Sequence, residues 1–263
     1  MIKKIGIVFF LVVFMSSCIP KKELTYFQGS PQATSEVYKM LNEPYRLQVN
    51  DILDINITSD NEELVAPFQQ SQTSRTNTNG QISEGQFYLR GYTIDHHGNI
   101  RLPYLGEVNV LGYTEKEVRE KIEEELGKFF KDSEEIFITV KLAGIRFTVL
   151  GEVANPGTLV MFQNQVNILE AIANAGDIVL TGDRKNITVV RKQLGGVKKY
   201  HINLLDMSVF NAESFYIHSN DIIYVEPLRQ KSWGTGTTGV QTFTTIVSVL
   251  SFVTTTILLV KTL

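Results

Sequence analysis

From Ser232 to Val260 the chain carries no charged side chain, and no other feature restricts its possible folds as strongly. Gly234, Gly236 and Gly239 make the first part of this run a poor helix. Val240 to Val260 reads VQTFTTIVSVLSFVTTTILLV, about 31 Å long as a helix and close to the hydrocarbon thickness of a bilayer. Trp233 stands before it and Lys261 after it, residue types expected at the two membrane interfaces. The sequence thus predicts a transmembrane helix at 240–260, preceded by a linker at 228–239. At about 100° per residue, Gln241, Thr244, Thr245, Ser248, Ser251 and Thr255 share a third of the circumference. Phe243, Ile246, Val249, Leu250, Val253, Ile257 and Val260 lie opposite. Phe252 and Leu259 interrupt the polar stripe, and Thr254 and Thr256 lie off it. A lone anchor gains nothing from such a stripe, whereas a ring of helices turns it toward a wet lumen or toward neighbours. Two other readings stay open: a single anchor whose hydroxyls bond back to its own backbone, and a buried β-rich segment favoured by the β-branched residues.

The other end carries an address. Residues 1–17 begin with Lys3 and Lys4 and continue through the uncharged, mostly apolar run Ile5–Met15, too short to span a bilayer but suited to a signal peptide. Ser16 and Ser17 then precede Cys18, the single cysteine. This resembles a bacterial lipoprotein signal, which implies cleavage before Cys18 and acylation (palmitate or a similar chain) of its thiol. A plain secretory signal with an incidental cysteine is the alternative. Residues 18–43 read as the lipidated N-terminus and a spacer.

Between the ends, the hydrophobic pattern reads as two small α+β units. Leu53, Ile55 and Ile57 alternate with polar residues in a strand within 45–58, after an Asn50-Asp51 turn. A Gln/Ser/Thr/Asn-rich excursion covers 66–86. The segments 88–94 and 100–103 flank Asp95-His96-His97-Gly98-Asn99 and predict a hairpin. Thr114 to Phe130 predicts a helix with a Thr114/Glu117 capping box and Val118, Ile122, Leu126 and Phe129 on one face. Strands follow at 136–142 and 147–153. A short helix spans 167–175, capped by Asn167 and stopped by Gly176. Further strands are expected at 187–191, 200–204 and 222–226.

Catalytic chemistry finds little support. One cysteine excludes an intrachain disulfide and a multi-cysteine metal site. A net charge of −3, without a basic stripe, argues against binding nucleic acid. In Asp95-His96-His97 adjacent residues would point to opposite faces of a strand, which favours a turn over a metal triplet. Ser219-Asn220-Asp221 lacks the companion motifs of a serine hydrolase, and Glu123-Glu124-Glu125 reads as a solvated helix face. No catalytic residue, metal ligand or cofactor is assigned.

The motifs carry a more specific resemblance. Tyr45–Leu53 (YRLQVNDIL) resembles the opening of the polysaccharide biosynthesis/export domain, with Asn50-Asp51 where that family usually has Gly-Asp. Ile94–Gly106 (IDHHGNIRLPYLG) resembles the same domain's D-x-x-G-x-I-x-x-P-x-x-G stretch, and Gly112-Tyr113-Thr114 continues it. Residues 147–226 resemble a soluble-ligand-binding β-grasp domain through Val149–Val153, Pro156-Gly157, Ala173–Gly176 and Asn220–Val225. The whole order is that of outer-membrane polysaccharide export proteins, of which larger members carry extra β-grasp copies. The resemblance implies an α+β fold, with an export domain at 44–143, a β-grasp domain at 144–227 and a C-terminal transmembrane amphipathic helix. It implies a non-enzymatic outer-membrane lipoprotein with a periplasmic body and a homo-oligomeric ring that passes capsular or extracellular polysaccharide. It also implies an inner-membrane chain-length or kinase-type partner. A periplasm-facing scaffold or glycan-binding lipoprotein, with the C-terminal helix as a mere anchor, remains the competing reading.

Overall fold

A computed structural model describes residues 19–28, 44–59, 65, 68, 90–128, 136–193, 195–232 and 239–262. The signal segment 1–17, Cys18, most of the 66–86 excursion, Phe129 and Trp233 lie outside the described residues.

The first unit is built on strand β1 (Ile52–Ser59), which buries Leu53 and Ile57 and exposes Asp54, Asn56 and Thr58, the alternation its sequence dictates. The preceding turn needs a positive φ, and Asn50 supplies it at 70°. β1 is central in an antiparallel sheet between β2 (Tyr92–Thr93) and the strand at Ile136–Leu142. The turn at Asp95–Asn99 forms, but among the described residues the expected hairpin ladder does not. β3 (Asn99–Leu102) pairs instead with β4 (Gly106–Asn109), a strand absent from the sequence reading. Tyr104 at φ 63° closes that tighter turn, and the register Ile100↔Val108 buries Ile100, Leu102 and Val108 together.

Helix α1 (Glu115–Gly127) starts at the capping box read from sequence. The Thr114 hydroxyl accepts from Glu117 N at 3.3 Å, and the Glu117 carboxylate accepts from Thr114 N at 2.7 Å. Val118, Ile122 and Leu126 are buried, and the helix packs on β5 (Ile136–Leu142). Only Ala143 and Gly144 separate β5 from β6 (Ile145–Gly151). Gly144 sits at φ 110°, where a Cβ would lie 2.8 Å from the Met161 carbonyl oxygen, so this joint requires glycine.

The second unit adds β7 (Gly157–Met161), β8 (Val166–Asn167), α2 (Ile168–Asn174), β9 (Gly182–Gln193), β10 (Gly196–Ile202), β11 (Tyr216–Ile217) and β12 (Ile222–Pro227). Its five-stranded sheet has the order β10-β9-β12-β6-β7, with β12 and β6 parallel and every other pair antiparallel. The Asn167 side chain accepts from Leu169 N at 3.0 Å and Glu170 N at 2.9 Å, as its capping role demands. The registers give this sheet two distinct ends. Gly151, Gly182 and Pro227 mark one end; the β9–β10 hairpin, Ile222 and the start of β6 mark the other.

The sequence reading departs from the structure at both chain ends. Residues 19–28, read as part of a spacer, form a strap on the second unit. A 3-10 turn at Lys21–Glu23 leads into Tyr26, Phe27 and Gln28, and Phe27 N donates to the Leu204 carbonyl at 3.2 Å. Two aromatic rings with a surface to cover outweigh the polar composition of the segment. The linker at 228–239 is anchored too, by buried Leu228 and the helical turn α3 (Arg229–Ser232). Helix α4 then runs over Gly239–Thr262, enclosing the expected 240–260. Among the described residues no helix is both long and apolar enough to cross a membrane. The side chains described in α4 lie within 244–259, shorter than the ~20 apolar residues a bilayer needs, so a crossing at 240–260 rests on the sequence.

Candidate functional site

The described side chains of α4 are exposed apart from half-buried Ile246, and Phe252 is 74% exposed. Its hydroxyls do not wait for outside partners. Ser248 donates to the Thr244 carbonyl at 2.8 Å and Thr255 to that of Ser251 at 2.7 Å. Thr254 and Thr256, off the stripe, do the same toward Leu250 and Phe252. Each of these four hydroxyls spends its one proton on its own helix and keeps lone pairs, so Ser248 and Thr255 offer acceptors on the stripe without an orphaned donor. That arrangement tolerates an apolar environment on either side. The side chains of Gln241 and Lys261, like Cys18 and Trp233, lie outside the described residues.

A second constellation, which the sequence reading did not assemble, joins the two units. Gln48-Val49-Asn50-Asp51 and His218-Ser219-Asn220-Asp221 fold into the same turn. Asn50 and Asn220 take φ of 70° and 65°. Asp51 accepts from Gln48 N at 2.8 Å, and Asp221 accepts from His218 N at 2.9 Å. The two turns meet: Gln48 Nε2 lies 2.6 Å from His218 Nδ1, and the Tyr45 ring stands edge-on to the imidazole at 5.7 Å. Tyr45 also donates its hydroxyl to Asp51 at 2.9 Å. Behind them Arg191 holds Asp221 through Nε and Nη2, the latter at 2.6 Å, with both side chains buried. Burial, with Arg191 nearby, pushes His218 down to about 4, so its ring is neutral and Nδ1 accepts from the Gln48 amide. Burial raises Asp51 above the usual carboxylate range and, with the Asp51 charge, raises Tyr45. The signal that could have found this joint is the Asn-Asp-Ile triplet, present at 50–52 and again at 220–222.

Beside the joint opens a cleft of about 550 Å³, lined by Pro44, Tyr45, Thr114, Glu115, Asn164 and Gln165. The Glu115 carboxylate spans it, accepting from Leu142 N at 2.6 Å and Asn164 Nδ2 at 2.7 Å. Among the described residues that line it, Lys116 included, no nucleophile–base pair is seen. Asp95, His96 and His97 are exposed, and the Asp95 carboxylate accepts from His97 N and Asn99 N at 2.8 Å each. Those backbone bonds, Asn99 first, pull its pKa below the usual carboxylate range and commit it to its own turn. Among the described residues no three His, Cys, Asp or Glu side chains converge as for a metal ion. Ser219-Asn220-Asp221 belongs to the joint, while Glu123 and Glu125 pair with Arg119 and Lys128 on the helix surface.

Comparison with known proteins places these units. The family model described as polysaccharide biosynthesis/export protein matches residues 40–143, and that of the SLBB domain matches residues 145–225. The EPS I polysaccharide export outer membrane protein EpsA of Ralstonia solanacearum is 32% identical over 189 residues, covering 70% of this chain and 48% of that protein. The protein of the same name from Ralstonia nicotianae is 30% identical over 186 residues, covering 70% of this chain and 47% of its own. The chain spans about half the length of the curated relatives it matches.

Proposed function

The chain belongs to the polysaccharide biosynthesis/export family, and on that premise we propose that it is an outer-membrane lipoprotein whose copies form a conduit for capsular or extracellular polysaccharide. Cys18 carries the acyl chains, several of which anchor firmly at about 0.8 kcal/mol per buried CH₂. The export and SLBB domains form the periplasmic body. One helix cannot enclose water, so the passage requires a closed ring of subunits. Gln241, Thr244, Thr245, Ser248, Ser251 and Thr255 face the lumen or the neighbouring helix, and Trp233 and Lys261 sit at the two interfaces. Hydroxyl acceptors bind sugar hydroxyls weakly, which suits a moving polymer, because a tight site would stall it. An inner-membrane chain-length or kinase-type partner docks on the periplasmic side, a role supported by family likeness alone.

The observation that carries this reading is α4 itself. It follows the SLBB domain with apolar side chains exposed from Val247 to Leu259, a surface that water does not tolerate uncovered. The competing reading, a scaffold with a single anchor, is favoured by the hydroxyls that bond back to their own helix. Deletion of residues 240–263 separates the two. For a conduit, the detergent-extracted full chain is a ring of several subunits, the truncated chain is not, and surface polysaccharide disappears. Export that survives the deletion defeats the conduit and leaves the scaffold.

A further inference from the structure

The two segments that lead toward the membrane converge on one loop. The strap reaches it first: Tyr26 donates its hydroxyl to Asp177 at 2.5 Å, and its ring lies 5.3 Å from the Arg184 guanidinium. Phe27 stacks on Phe210 at 5.5 Å, and Gln28 bridges to Asp206 in parallel. Glu23 stands 3.8 Å from Lys185. The C-terminal side arrives at the same loop: Leu228 N donates to the Thr181 carbonyl at 2.7 Å, and Lys231 bonds Glu152 at 2.5 Å. Thr181 bonds the other Glu152 oxygen, and Val179 N donates to the Glu152 carbonyl at 3.1 Å. The turn Val179-Leu180-Thr181-Gly182, closed by Gly182 N to the Val179 carbonyl at 2.9 Å, leaves Leu180 59% exposed at its corner.

We propose that the Asp177–Gly182 loop, with Leu180 at its corner and the strap beside it, is the surface on which this protein rests against the lipid bilayer. The inference depends on the reading that Cys18 is acylated and α4 enters the membrane. One peptide step of about 3.8 Å joins Cys18 to Ile19, the first residue of the described strap, so the acyl chains attach within that distance of it. On the other side, the chain between α3 and α4 spans at most about 25 Å when fully extended. An exposed Leu at the loop corner, with exposed Lys21 and Lys22 on the strap that bonds this loop through Tyr26 and Asp177, is the pairing that seats a surface at the headgroup boundary, apolar inward and cationic among phosphates. The sheet fixes what faces away. β9 starts at Gly182 and its twelve residues carry the chain roughly 35–40 Å to the β9–β10 hairpin. Val197, 61% exposed at that far end, is as apolar and as open as Leu180 but belongs to the opposite pole.

The test uses the full, acylated chain in vesicles of outer-membrane phospholipid, with Trp233→Phe as background because Trp233 is the single tryptophan. Leu180→Trp, Lys22→Trp and Val197→Trp then report in turn, after flotation and circular dichroism confirm a folded, vesicle-bound protein. Lipid brominated near the headgroup is expected to remove about half or more of the emission at 180 and 22, at the depth an interfacial side chain reaches, and to leave 197 unchanged. Protein that floats with the vesicles but shows no quenching at 180 and 22, or equal quenching at 197, overturns the inference and leaves the anchors standing. Protein that does not float overturns the anchor reading and this inference with it.

Discussion

His218 is the residue whose charge state decides how the two domains hold together. Unfolded, it takes up a proton near 6.5; folded, it resists until about 4, because burial and Arg191 disfavour the imidazolium and Asp221 only partly offsets them. The unfolded chain therefore binds more protons across this window, and stability is lost as pH falls from about 6.5 toward 4. The loss by pH 4.5 is about 2–3 kcal/mol. Protonation also places a hydrogen on Nδ1, where the Gln48 amide now donates. Urea denaturation at pH 7 and pH 4.5 checks this. His218→Gln is expected to flatten the acid limb by that amount, and an unchanged pH difference would exclude His218 as its source. Tyr45, Arg191 and Asp221, which act on the ring, and Asp51 behind Tyr45 remain in both proteins, so the comparison isolates the imidazole.

At the scale of the element, local chemistry decided what could be read in advance. Thr114→Ala removes the acceptor for Glu117 N and is expected to cost about 1 kcal/mol in denaturant unfolding, with α1 shortened at its first turn. The same capping logic made α1 and α2 legible, since a cap and its partner lie three residues apart in the chain. Alternation made β1 and β5 legible for a similar reason. The hairpin failed because its partner was chosen by burial: Val108 matches Ile100 across a turn that only a left-handed Tyr104 allows. The strap failed because Tyr26 and Phe27 find Asp177, Arg184 and Phe210, residues roughly 150–185 positions away. The joint between domains was half visible, as two Asn-Asp-Ile triplets whose meeting no spacing announces. The extent of α4 was visible as an uncharged run, while the direction its stripe faces depends on neighbours outside a single chain.

For the molecule as a whole, the decisive feature is polarity. The export domain joins the second sheet at the His218 end, and the strap and α3 join it at the Gly182 end. The passage between domains runs through Gly144, so Gly144→Ala forces a Cβ against the Met161 carbonyl at φ 110°. Its expected cost is more than about 1 kcal/mol, read as a lower midpoint in urea; an unaltered midpoint would show that the joint relaxes freely. A connector of two residues, Ala143 and Gly144, has no slack. β6 runs from this joint directly to Glu152, which bonds both Lys231 and Thr181. The second sheet is thus a strut, stiffly fastened at both of its ends.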